Sequence, residues 1–127
     1  EFKRINDSHG HQAGDAVLRE AASRMRAALP EDALLGRWGG EEFIAILDGA
    51  QGREPASVAE AMRAALAAAP VPFEGVAIPV TVSIGVATAF ASDGIDALLA
   101  EADAALYRAK NAGRNRVVYG PSPVAAT

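Results

Sequence analysis

The sequence predicts an α/β fold of the α+β sandwich type, with helices covering a sheet rich in antiparallel strands. Three observations carry that prediction. Apolar residues recur at helical spacing in three separate stretches. A paired-glycine turn joins two apolar runs between Ala33 and Leu47. Residues Val80 to Thr88 alternate between branched apolar and small side chains, the period of a strand. The chain has 127 residues, half of them hydrophobic and 22% charged, which fits one globular domain with a real core.

The elements follow in order. From Gly14 to Leu29, the residues Val17, Leu18, Ala21, Met25, Ala28 and Leu29 form a helical stripe. Asp15 lies near that helix start, where a carboxylate is favoured, and Pro30 stops the helix. Ala33 to Trp38 and Phe43 to Leu47 flank a Gly-Gly-Glu-Glu tip as a β-hairpin. Its second strand is apolar on both faces, as expected of an interior strand covered by helices. A loop rich in Gly and Pro leads to a second helix, Ala56 to Ala69, with Ala59, Met62, Leu66 and Ala69 facing inward, and Pro70 and Pro72 end it.

Val76 to Ile78 reads as a short strand and Val80 to Thr88 as a long one. In the long strand Val80, Val82, Ile84 and Val86 share one face, and Thr81, Ser83, Gly85 and Ala87 form a small-residue face. The last helix spans Ile95 to Asn111 with Leu98, Leu99, Ala102, Leu106 and Ala109 as its stripe. Gly113 is its expected C-cap, and Arg116 to Tyr119 forms a final edge strand. Residues 1–119 make up the domain, and the aperiodic tail 120–127 is expected to be disordered. The order reads as the latter part of a βαββαβ unit whose first strand is missing.

Composition narrows the function. A net charge of −4 gives no general attraction to nucleic acid or to an anionic membrane, so cations must act locally. There is no cysteine, hence no disulfide framework or thiolate metal site, which suits a cytoplasmic protein. No run resembles a signal peptide or approaches bilayer length, so any membrane association is expected from domains outside this chain. The opening residue is Glu1 rather than Met, which reads as a piece of something longer.

The tip Gly39-Gly40-Glu41-Glu42-Phe43 concentrates the chemistry. Two glycines permit a tight turn and close approach of another group. The adjacent carboxylates Glu41 and Glu42 point to opposite sides of the strand they enter. Acidic groups on a turn beside a core strand invite a hard divalent cation, Mg²⁺ or Mn²⁺, whose preferred donors are oxygens. Taken alone, the tip also fits an ordinary solvated turn.

The tip does not stand alone. Phe2-Lys3-Arg4-Ile5-Asn6-Asp7, Gly10-His11, Gly14-Asp15, Arg37 to Phe43, Val82-Ser83-Ile84-Gly85-Val86 and Ala102 to Asn115 together resemble the GGDEF domain of bacterial diguanylate cyclases, in its Gly-Gly-Glu-Glu-Phe variant. The resemblance covers Glu1 to Tyr119 in order and spacing. It implies a palm-like fold of the adenylyl cyclase type. It also implies the condensation of two GTP molecules to cyclic di-GMP with release of pyrophosphate, in a homodimer through facing active sites.

By this resemblance Glu41 is a metal ligand, and Glu42 is the second catalytic acid, tied to metal binding or to the 3′-hydroxyl. Gly39 and Gly40 leave room for the nucleotide. Asn6 and Asp15 match a guanine-contacting pair, although Asn6 as a turn former and Asp15 as a helix N-terminal carboxylate are compatible roles. A carboxylate accepts from the N1–H and exocyclic amine of guanine, a donor pair adenine lacks. Lys3, Lys110 and Arg114 match phosphate-contacting cations; dipole complementation at a helix C-terminus, about 0.3–1 kcal/mol, is the competing role for the last two. Asp7, His9, His11 and Trp38 read as structural.

Two departures from the family pattern stand out. The pattern places a metal-ligating Asp three positions before Glu1, on a central strand, so the fragment is expected to lack that ligand, strand and a preceding helix, and to be poorly stable and inactive by itself. An inhibitory Arg-x-x-Asp product site precedes the signature in many members; Pro30-Glu31-Asp32-Ala33 stands there instead, with Asp32 a turn residue. The alternative function is a non-catalytic GTP- or cyclic-di-GMP-binding module of the same fold.

Overall fold

The computed structural model describes residues 2–37, 42–47, 54–88 and 94–119. In chain order the elements are α1 (Phe2–His9), α2 (His11–Ala28), β1 (Leu34–Arg37), β2 (Phe43–Ile46) and α3 (Pro55–Ala67). They continue with β3 (Val71–Phe73), β4 (Val76–Ile78), β5 (Ile84–Val86), α4 (Ile95–Asn111) and β6 (Val117–Tyr119). The mixed α and β content agrees with the fold class expected from the sequence.

Helix α2 is the backbone of the core. Val17, Leu18, Ala21 and Met25 are buried along one side, with Leu29 just beyond its end. Its C-terminal half packs with Met62 and Leu66 of α3 and with Ala33, and the hairpin lays Leu35, Phe43, Ala45 and Leu47 against this cluster. Its N-terminal half joins Ala13 and Val17 to Val71 and Ile78 of the β3–β4 hairpin, with Ile5 of α1 at the edge. Each such fully buried Val, Leu, Ile or Met contributes about 1.5–3 kcal/mol relative to exposure.

Two arginines tie backbone ends that would otherwise be orphaned. Arg24 donates to the carbonyls of Leu66 and Ala69 at 3.0 and 2.5 Å, closing the C-terminus of α3. Arg26 donates to the carbonyls of Ala33 and Pro30 at 2.6 and 2.5 Å, which fastens the turn between α2 and β1. Asp32 lies in that turn, as its sequence position suggests.

Several expectations need correction. Phe2–His9, to which the sequence pattern assigns no element, is a helix, and α2 begins at His11, three residues before Gly14. Asn6 is therefore helical and not a turn former, and Asp15 lies past the first turn of α2 rather than at its cap. Residues 79–83 carry no ladder, so the long strand shortens to β5, although Val80 and Val82 still face the core. A strand is defined by a partner, and the alternating pattern fixes only which face looks inward.

Pro72 does not merely end a helix. It sits in β3, opposite Ala77, in a hairpin turned by Glu74 and Gly75 at φ 48° and 79°. An edge ladder tolerates proline because only one side of the strand needs its N–H.

The sheet is also divided. Among the described residues β1–β2 and β3–β4 form separate antiparallel pairs, and β5–β6 a parallel pair. The hairpin is covered on one face only: Leu34 and Ile46, register partners, are 66% and 49% exposed. The expectation that β2 is buried on both faces is not met.

Helix α4 lies on the other side of β5, where the small-residue face was expected. A Cβ at Gly85 would collide with the Ala102 carbonyl oxygen and the Leu106 amide nitrogen, so glycine sets how closely helix and strand approach. Ala105 and Ala109 are the buried residues of α4, whereas Leu98, Leu99, Ala102 and Leu106 are half-buried. Small side chains are buried there because the helix backbone rides directly on the strand.

Candidate functional site

The α1–α2 corner forms the first part of the site. Gly10, at φ 91°, is the pivot; its N–H donates to the Asn6 carbonyl at 2.8 Å and its own carbonyl accepts from Gly14 at 3.2 Å. This geometry closes one helix and opens the next within a single residue, a conformation glycine adopts without a side-chain clash. It carries Asn6 on α1 and Asp15 on the adjoining helix.

The side chain of Asn6 is unusual. Its Oδ1 is buried yet has no hydrogen-bond partner among the described residues. An amide oxygen taken from water without a donor costs about 1–3 kcal/mol, so it calls for a donor beyond those the described residues supply. Asp15 is exposed on the surface of α2. Lys3 belongs to α1, with its side chain outside the described set.

The second part is the turn after α4. Lys110 lies in the last turn of the helix and Arg114 four residues beyond, both exposed. The turn runs through three successive positive φ values: 122° at Gly113, 64° at Arg114 and 47° at Asn115. The C-cap is Ala112 rather than the expected Gly113, which follows it at φ 122°. For Arg114 the left-handed conformation costs about 1–2 kcal/mol, so surrounding bonds must hold it.

Those bonds come from three elements. The Arg114 N–H donates to the Ala109 carbonyl of α4 at 3.0 Å. The Asn115 N–H donates to Ser83 Oγ at 3.2 Å, and the Ile84 N–H at the start of β5 donates to the Arg116 carbonyl at 3.0 Å. From α3, Arg63 Nη1 donates to Asn115 Oδ1 at 2.8 Å. Glu60 orients Arg63 through bonds to its Nε at 2.8 and 3.0 Å. The Arg63 guanidinium holds the Glu60 carboxyl below its ordinary range, and Glu60 in turn raises Arg63.

The signature contributes less to the described structure. Glu42 directly precedes β2 and is exposed. Gly39, Gly40 and Glu41 lie outside the described residues, as does Trp38. Among the described residues no group of three His, Asp or Glu side chains could hold a metal ion. The donors expected at the tip, Glu41 and Glu42, are both carboxylates, and all-oxygen chemistry of that kind fits Mg²⁺ or Mn²⁺.

Sequence reasoning missed Arg63. The Glu60-x-x-Arg63 spacing signals an ion pair along a helix, but nothing local announces a partner 52 residues away. Asn115 was visible within the motif but without a role; its tolerance of the left-handed conformation is the clue that was available.

The mixed helices and short ladders are those of a cyclase-like α+β domain. The sequence matches the family described as "Diguanylate cyclase, GGDEF domain" over residues 1–116, and the chain belongs to the GGDEF family. That family comprises nucleotidyltransferase enzymes.

The diguanylate cyclase DgcP of Pseudomonas aeruginosa is 41% identical over 116 residues, covering 91% of this chain and 17% of that protein. Diguanylate cyclase SiaD of the same organism, solved with its activator SiaC, superposes with a TM-score of 0.82 at 36% identity, over 94% of this chain and 46% of that one. The active GGEEF domain of a Vibrio cholerae diguanylate cyclase gives 0.80 at 32% identity, over 96% and 78%. The chain thus spans a small part of full-length relatives and most of an isolated domain.

Proposed function

We propose that this chain is part of the catalytic domain of a diguanylate cyclase, inactive by itself, and that in the intact protein each domain binds one GTP and completes cyclic di-GMP against the GTP of a facing second copy. Membership of the family supports the reading, and the buried, unpartnered Asn6 Oδ1 is the observation that carries it to this chain. Guanine offers N–H donors that satisfy an orphaned amide oxygen, and Asp15 accepts from the same Watson–Crick edge.

The reaction balances simply. Each 3′-hydroxyl oxygen attacks the α-phosphorus of the opposing nucleotide, the bond to the bridging oxygen breaks, and pyrophosphate leaves; two such steps close the ring and release two protons. Bound Mg²⁺ or Mn²⁺ supplies charge stabilisation to the attacking and leaving oxygens. Glu41 would hold that ion, with Glu42 beside it, while Gly39 and Gly40 admit the phosphates. Lys3, Lys110 and Arg114 neutralise the triphosphate, and Asn6 with Asp15 selects the base. One chain supplies one half of this arrangement, so product formation needs two in twofold symmetry. The reading places the domain in the cytoplasm, where GTP is found; among the described residues no helix is long and apolar enough to cross a membrane.

Substitution at the guanine contact tests it. Asn6→Ala in the intact protein is expected to lower kcat/KM for GTP by about tenfold or more, the cost of losing one buried acceptor. An unchanged value would remove Asn6 from the base site.

A further inference from the structure

We infer that Arg63 is a positioning residue for the triphosphate: it acts through Asn115 to hold the Arg114 turn in the conformation that presents its cations. The inference rests on the GTP-site reading above and adds a residue on α3 to it.

Within the turn itself Arg116 Nε donates to the Arg114 carbonyl at 3.2 Å, and the rest of the support comes from neighbouring elements. Arg114 and Asn115 are consecutive non-glycine residues at φ 64° and 47°, a pairing the isolated backbone disfavours. The carbonyls of α4 and the edge of β5 fix one side of it. On the outer side, Arg63 Nη1 reaches in from α3 and donates to Asn115 Oδ1 at 2.8 Å. Arg63 arrives there pre-oriented, because Glu60 one turn earlier on α3 occupies its Nε and Nη2. A guanidinium suits this position because its planar fork bonds a carboxylate on one edge and an amide oxygen on another. Removal of Arg63 would leave Asn115 tethered only through its backbone N–H, and Arg114 would sample other conformations.

Lysine is a poor replacement, since its ammonium cannot bridge both partners in a fixed plane. Asn115→Gly separates positioning from folding. Glycine adopts φ 47° readily, so the turn is not strained, and the Arg63–Glu60 pair stays intact, but the amide that Arg63 grips is gone.

The test measures dissociation constants of the intact protein for GTP and for guanosine in Mg²⁺ buffer, with circular dichroism to verify folding. Both Arg63→Ala and Asn115→Gly are expected to weaken GTP by about tenfold, with Arg63→Lys intermediate and guanosine within about twofold of wild type. GTP affinity unchanged in folded Asn115→Gly, or guanosine weakened as much as GTP, overturns the positioning role while the GTP site stands. Wild-type protein that binds no GTP overturns the site itself and this inference with it.

Discussion

Two side chains on helices that do not carry the signature shape the site. Asn6 offers an oxygen that the described fold leaves without a donor, and Arg63 spends its fork on Glu60 and Asn115. The Arg63–Glu60 pair is solvent-exposed, so its contribution to stability is small. Its electrostatics are still readable. The folded Glu60 carboxyl titrates below its unfolded value because Arg63 hydrogen-bonds the charged form. The associated stabilisation is therefore present above the ordinary glutamate pKa and disappears as pH falls through the lowered folded value. Carboxylate NMR titration is expected to find Glu60 below the usual glutamate range in wild type and back within it in Arg63→Ala. An unshifted Glu60 in wild type would mean that the pair does not persist in solution.

At the scale of elements, α4 approaches β5 closely at Gly85. Gly85→Val should cost at least about 1–3 kcal/mol, since helix backbone rather than a pliable side chain occupies the space, and chemical denaturation measures it. Leu66→Ala, which empties a position where α3 meets α2, should cost about 2–5 kcal/mol by the same measurement. The helical stripes were legible in the sequence because burial on one side of a helix repeats every three to four residues. Val17, Leu18, Ala21, Met25, Met62 and Leu66 are buried as the spacing implies. The α4 stripe was only partly legible, because the spacing marks large residues while the close helix–strand contact buries Ala105. The β3 strand was hidden by Pro72, and α1 by its polar sequence. Lys110, Arg114, Asn6 and Asp15 were legible as motif positions; the Arg63–Asn115 bond was not, since it depends on a long-range juxtaposition of α3 and the α4 turn.

Among the described residues the strands form three two-stranded ladders, and the β1–β2 pair leaves Leu34 and Ile46 exposed. In the proposed site the base contacts Asn6 and Asp15 would come from α1 and α2 and the phosphate contacts Lys110 and Arg114 from the end of α4 and the turn after it. In the proposed reaction each domain of the intact protein binds one GTP, and a cyclic product with two guanines needs two domains. The proposed roles of Asn6, Asp15, Lys110 and Arg114 apply to a binding module as well as to an enzyme; turnover distinguishes the two. The decisive measurement is product stoichiometry from the intact protein incubated with GTP and Mg²⁺. The proposed activity predicts one cyclic di-GMP and two pyrophosphates for every two GTP consumed, with a rate that rises more steeply than linearly in protein concentration while dimers are scarce. Saturable GTP binding with no cyclic di-GMP formed would contradict it.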